Sequence, residues 1–305
     1  MGVSSKELDN HGMVWVPGGT FAMGSSDFYP EEGPVHQATA QGLWVDRAPV
    51  SNADFAAFVT DTGYVTTAER PLDPELFPGL DDYSAGSMVF RPTDGPVDLG
   101  DWRGWWTWVQ GAFWRAPRGP GSDLAGLEDH PVVQVSFDDA GAYAVWAVKE
   151  LPTEAEWEHF ARGGLPGAVY AWGDDPRLGD QLMANTWQGH FPYQNTGAGG
   201  WVGTSPVGSF PSNGYGLFDV TGNVWEWTLE PWSASHASPA APCCAPVSPV
   251  SGEGPRRVLK GGSHLCSPEY CLRYRPAARS PESEDSATTH IGFRCIRRQP
   301  VAESP

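Results

Sequence analysis

Positive charge is scarce in this chain. Its 305 residues carry Lys+Arg 19 against Asp+Glu 37, a formal net charge of −18 at pH 7. That field repels phosphate backbones and anionic lipid alike, so nucleic acid and membrane surfaces are excluded as partners. Charged residues make up only 18 % of the sequence, which argues against a coiled coil. Long apolar runs are also missing. No stretch approaches the roughly 20 residues of a membrane span, and residues 1–12 lack the basic-then-apolar layout of a secretory signal, so the expected location is cytoplasmic. Cysteine does not occur before position 243; the five present (Cys243, Cys244, Cys266, Cys271, Cys295) cannot staple the N-terminal part of the fold, and an odd number leaves a thiol unpaired. No repeat of fixed period occurs, and the eight histidines nowhere recur at helical spacing.

What the chain has in quantity is Gly 37, Pro 29 and Trp 15, with 40 % hydrophobic residues. That composition rules out disorder and collagen-like repeats, and it predicts a core of large rigid rings with much backbone in turns. The length suits one domain spanning 13–297, with an N-terminal tail over 1–12 and a C-terminal tail over 298–305. Residues 13–24 alternate around Pro-Gly-Gly and predict a hairpin; residues 131–136 predict a buried strand. Three helix starts are legible. Ser51 precedes Phe55, Phe58 and Val59 at helical spacing before Gly63, residues 138–148 repeat Ala and aromatics, and Thr153 with Glu156 forms a capping box closed by Gly163-Gly164. The Trp-rich stretch 102–114 follows an irregular segment and reads either as a core lid or as the wall of a groove. Segment 231–255, with Cys243-Cys244, reads as a long surface loop with no assigned role.

Two constellations could carry chemistry. Cys266-Ser-Pro-Glu-Tyr-Cys271 lies in a stretch, 256–298, that holds nine Lys/Arg against four Asp/Glu. Neighbouring cations favour thiolate over thiol, and thiolate is both nucleophile and metal ligand. Two thiolates suit low-coordinate Cu(I) better than tetrahedral zinc, for which His264 would be a third ligand; a disulfide or two inert thiols would give the same spacing. The second constellation is Asp219 to Glu226, where two carboxylates bracket a Gly-containing loop whose carbonyls could complete a calcium shell, or which is simply a capped turn.

Taken together, residues 16–24, Pro49-Val-Ser-Asn52, Leu151-Pro-Thr-Glu-Ala-Glu-Trp-Glu158, Asn213 to Trp227, Lys260-Gly-Gly-Ser263 and Gly292-Phe-Arg-Cys295 resemble the formylglycine-generating enzyme family of prokaryotic type. The resemblance implies an α+β fold of low regular structure, the sulfatase-modifying-factor fold related to C-type lectins. It also implies O2-dependent oxidation of a cysteine to Cα-formylglycine in a client sulfatase, or in its unfolded Cys-x-Pro-x-Arg peptide, by a monomer. By the same resemblance, Cys266 and Cys271 hold Cu(I), flanked by Ser263, Trp225, Tyr270 and Arg273. Asp219, Gly222, Val224 and Glu226 hold one Ca2+; Asn185, Thr186 and Trp201 belong to a second site that has Gly199 where relatives carry Asp. His290 replaces an Asn and brings a titratable donor to the site. Cys295 matches a disulfide-bonded cysteine of secreted relatives, but the partner position is Ala144, so a free thiol is expected. The rival readings are a lectin-like binding module without turnover and a sister oxidase acting on another thiol.

Overall fold

Each of the three helices begins at a side-chain oxygen that satisfies an otherwise orphaned backbone N–H. The computed structural model describes residues 10–75, 77–237 and 255–299. Helix α1 (Asn52–Thr62) starts at Ser51, whose side chain accepts from Asp54 N, and stops at Gly63 in the left-handed region, φ 66°. Helix α2 (Phe137–Trp146) starts at Ser136, paired reciprocally with Asp139, and α3 (Glu154–Ala161) at Thr153, paired with Glu156. Each such cap stabilises its helix by about 1 kcal/mol.

The strands are short and distributed over four sheets. In chain order they are β1 (Met13–Val16), β2 (Gly19–Met23), β3 (His36–Ala40), β4 (Leu43–Asp46), β5 (Gly86–Phe90), β6 (Trp106–Gln110), β7 (Trp225–Pro231), β8 (Arg256–Lys260), β9 (Arg279–Ser283), β10 (Ile291–Gly292) and β11 (Ile296–Arg298). The sheets run β1-β4-β11, β10-β7-β8-β9, β2-β3 and β5-β6. The fold is therefore the expected low-helix α+β arrangement.

Two expected elements are absent. Residues 13–24 do form two strands, but β1 pairs with β4 and β2 with β3 instead of with each other. The Pro17-Gly18 step therefore passes the chain between two sheets. Residues 131–136 are buried but form no strand: beyond a single bridge between Ser51 and Pro131, the run is broken by Gln134 at φ 62°. Gln134 spends its side chain on backbone instead, donating Nε2 to Pro117 O at 2.8 Å. The last strand, β11, ends at Arg298, which ion-pairs with Glu150 and Glu156. Cys243-Cys244 lies outside the described residues.

The core is aromatic, as the composition requires. Phe55, Phe58, Trp114, Tyr143, Trp225, Trp227 and Phe293 form one cluster, and Cys266, Cys271 and Cys295 are members of it. Cys295 is a free, fully buried thiol packed in the cluster that also holds Ala144. The Trp-rich stretch is divided: Trp105 and Trp114 are buried in the core, whereas Trp102 and Trp108 are exposed on and beside β6.

Candidate active site

The loop leaving β8 is closed by glycine. Gly262 has φ 69°, and a Cβ there would stand 2.9 Å from the backbone of Arg273 and Tyr274. Only glycine lets the start of the loop lie against its end. Within the closed loop, Cys266 N donates to Ser263 O at 2.9 Å, and Cys271 N donates to Ser267 O at 2.6 Å. These two turns bring the sulfurs of Cys266 and Cys271 to 2.9 Å from each other, facing. Ser263 is fully buried; its N–H points to Cys266 Sγ at 3.4 Å and its Oγ accepts from Leu265 N, so its role is to shape the turn.

The electrostatics divide the pair. Cys271 is held below the usual thiol range, first by a hydrogen bond from the Cys266 thiol and then by the Arg273 guanidinium; burial pushes Cys266 up. Of the two thiols, Cys271 is therefore the easier to deprotonate. Arg273 is fixed from a distance in sequence: Nη2 donates to Glu31 Oε1 at 2.7 Å, and its guanidinium lies 3.9 Å over the Tyr29 ring. Tyr29 Oη also accepts from Leu272 N at 3.0 Å. Behind it Arg275, buried, binds Glu32 through two hydrogen bonds at 2.9 and 2.5 Å and stacks 3.7 Å from Phe28. Residues 28–32 therefore form a strap over the cysteine loop. The sequence reading missed it; its one signal was the acidic pair Glu31-Glu32, in a chain where nine cations lie near the C-terminus.

The other expected residues connect to the thiol pair through the aromatic core and its neighbours. Trp225 packs in the same cluster, and its backbone N–H donates to His290 O at 2.8 Å. Tyr270, 37 % exposed, stacks on Phe191 at 4.6 Å and meets Trp105 edge-on at 5.3 Å, so the sulfurs lie one residue from the surface. His290 stands edge-on to Trp106, within the Trp-rich stretch, at 4.8 Å. Burial, and secondarily His264, pushes His290 down to about 3, so it is a neutral imidazole and does not titrate near neutral pH as expected. A cavity of about 380 Å3 backs the loop, with Ser267, Pro268 and Tyr274 on one wall and Trp172 and Trp187 on the other.

The thiol pair stands without further ligands. His264 spends Nδ1 on Asn223 O at 2.8 Å, and among the described residues no group of three or more His, Cys, Asp or Glu could hold a metal. That removes the zinc alternative, which needs four donors, and leaves a donor set suited to a two-coordinate soft cation. The oxygen sites divide similarly. Asp219 is buried with Oδ1 unpartnered, while Oδ2 accepts from Gly208 N, and burial lifts the carboxyl to about 6. An orphaned buried carboxylate oxygen beside backbone carbonyls fits a hard cation. Glu226 is less free than expected, since Arg294 binds both its oxygens and Trp157 Nε1 donates to Oε2. At the second set, Asn185 Oδ1 is unpartnered, but both Thr186 oxygens accept from Gln188 and the Trp201 carbonyl accepts from Ala198. Asn185 alone presents an unused oxygen there.

A facing pair of buried thiols on an α+β scaffold of few helices is a donor set that can hold a soft metal or react at sulfur. Comparison with known proteins narrows this. The family model described as the sulfatase-modifying factor enzyme 1-like domain matches residues 2–299, and the chain belongs to that family. It is 61 % identical to the formylglycine-generating enzyme of Mycobacterium tuberculosis, over 93 % of this chain and 97 % of that one. It is 38 % identical to the inactive C-alpha-formylglycine-generating enzyme 2 of Bos taurus, over 93 % of this chain and 87 % of that one. Among solved structures, PvdO from Pseudomonas aeruginosa matches with a TM-score of 0.60 and 26 % identity, each chain covered to 94 %.

Proposed function

We propose that this chain is a formylglycine-generating enzyme that oxidises one cysteine of a client sulfatase, presented as an unfolded Cys-x-Pro-x-Arg segment, to Cα-formylglycine. The observation that carries the reading is the facing pair Cys266–Cys271 at 2.9 Å with Arg273 held beside it. Family membership alone would not suffice, because a relative named inactive shares the fold.

Cys266 and Cys271 would hold Cu(I), which supplies one-electron chemistry with O2 that amino-acid side chains lack. In overall terms the client CH2–SH gives up two electrons and two protons to O2, giving a thioaldehyde and hydrogen peroxide, or two waters where an external thiol supplies two further electrons and protons; water then adds to the thioaldehyde carbon, the C–S bond breaks and sulfur leaves as hydrogen sulfide. The chain's own residues prepare this. Cys271 and Arg273 keep negative charge on sulfur, and the Ser263 turn fixes the direction of Cys266. Trp225, Tyr270 and Trp105 surround the sulfurs with rings that exclude water, and neutral His290 keeps one N–H available as a donor. Asp219, with the carbonyls of Gly222 and Val224 and the Glu226 carboxylate, would hold Ca2+ as a structural ion; Asn185, Thr186 and Trp201 would bind a second ion more weakly. The three free thiols among the described residues are in keeping with work in the reducing cytoplasm, where the chain would act as a monomer. The test is to incubate the Cu(I)-loaded chain and O2 with a Cys-x-Pro-x-Arg peptide and follow aldehyde by mass. Activity must vanish in Cys271→Ala; its survival there would sink the assignment.

A further inference from the structure

The β5-β6 ribbon carries an apolar face that the reaction does not use. Its register pairs Met88 with Trp108 and Phe90 with Trp106, and the two-residue alternation of strands puts these four side chains on one side. On the opposite side Ser87 and Val89 are buried, each 1 % exposed, so the ribbon is anchored through that side. The inner end of the apolar face joins the active site: Phe90 meets Trp187 at 5.7 Å and Phe191 at 5.9 Å, and Trp106 meets His290. The outer end is open, with Trp108 43 % exposed beside half-buried Met88. A large ring held in water next to a catalytic residue's neighbour is the pattern of an interaction surface.

We propose that this outer end, Met88 and Trp108, docks an apolar side chain of the client that lies outside the Cys-x-Pro-x-Arg motif. The proposal rests on the formylglycine-generating reading, and it is carried by continuity. Cys266 and Cys271 are 1 % and 8 % exposed, so a client cysteine reaches them only from an extended segment whose flanks run across the adjoining surface. Trp106 and Trp108 are two residues apart on a strand, about 7 Å, the rise of two residues of an extended client. The docked side chain therefore sits at least two positions from the client cysteine. Asp94 and Asp98 occupy the chain leading into β6, where Arg103 pairs with Asp101, so an acidic residue at that client position is disfavoured while an apolar one is accepted.

The experiment measures binding of fluorescein-labelled peptides to the Cu(I)-loaded full chain by anisotropy, with aldehyde formation followed in parallel. Each peptide holds the motif flanked, on the N-terminal or the C-terminal side, by Leu, Ser or Asp two to four positions away. The wild-type chain is expected to bind one Leu-flanked series about tenfold tighter than its Ser counterpart, as when roughly half of a leucine-sized side chain leaves water. Asp should be weakest. Trp108→Ala should erase the preference while leaving the Ser-flanked Kd and its turnover unchanged, and Trp108→Phe should keep part of it. Equal binding of Leu and Ser peptides by the wild type, no binding of either, or a preference that survives Trp108→Ala overturns the proposal. A Trp108-dependent preference without aldehyde from any peptide upholds the docking surface and overturns the oxidase reading instead.

Discussion

Removing the charge of Glu32 isolates the strap from the cysteine loop, and the structure sets the size of the effect. Glu32 and Arg275 are 0 % and 1 % exposed, joined by two charge-assisted hydrogen bonds. In Glu32→Gln the guanidinium retains the Leu272 carbonyl at 2.8 Å and the Phe28 face, but it loses its only counter-charge on the strap. Breaking a buried pair from one side costs about 3–5 kcal/mol, against about 0–1 kcal/mol for an exposed one. Replacing both partners, Glu32→Leu with Arg275→Met, removes the stranded charge and should recover most of that loss, because desolvating two ions offsets much of their attraction. Urea unfolding of the wild type, Glu32→Leu, Arg275→Met and the double variant measures the coupling directly, with Glu32→Gln measured beside them. A Glu32→Gln cost below about 1 kcal/mol, or a double variant as unstable as the two single losses added together, would refute the view that the strap is locked by a buried ion pair.

Three further outcomes are expected. Burial alone would raise Glu154, but Lys260, His236 and Arg279 hold it at about 2, below its ordinary 4.5. Its contribution is therefore complete above pH 4.5 and is lost as pH falls toward 2, about 3 kcal/mol in all, and Glu154→Gln should flatten the acid limb of the stability–pH curve. Calcium should raise the unfolding temperature, by the equivalent of about 2.7 kcal/mol at a hundredfold excess over Kd; Asp219→Asn should abolish the gain, whereas Thr186→Val should leave most of it. Iodoacetamide should alkylate Cys271 before any other described thiol and leave Cys295 intact until unfolding, since burial removes Cys295 from solvent and pushes its thiol up.

Much of the site was legible because its signals are local. Cys266 and Cys271 stand five residues apart, and the helix caps at Ser51 and Thr153 are closed within one turn, so spacing alone reveals them. What stayed hidden depends on partners distant in the chain. Residues 13–24 look like a hairpin because alternation and Pro-Gly-Gly fit one, yet pairing is decided by which strands arrive later, β4 for β1 and β3 for β2. Val132, Val133 and Val135 read as a strand, but Gln134 in the left-handed region turns its amide to backbone and ends the pleat. The strap joins residues 28–32 to 271–275, more than two hundred positions apart, and no periodicity records such a contact. Glu226 was read as a calcium ligand from its place in the loop; that Arg294 would occupy both its oxygens follows from β10 lying parallel to β7.

The most direct measurement is a Cu(I) titration of the reduced chain against a chromophoric chelator. The account predicts one tight equivalent in the wild type and in Cys295→Ala, and none in Cys266→Ala or Cys271→Ala. Tight binding that persists after Cys271→Ala, or a wild-type chain that takes up no copper, would contradict it.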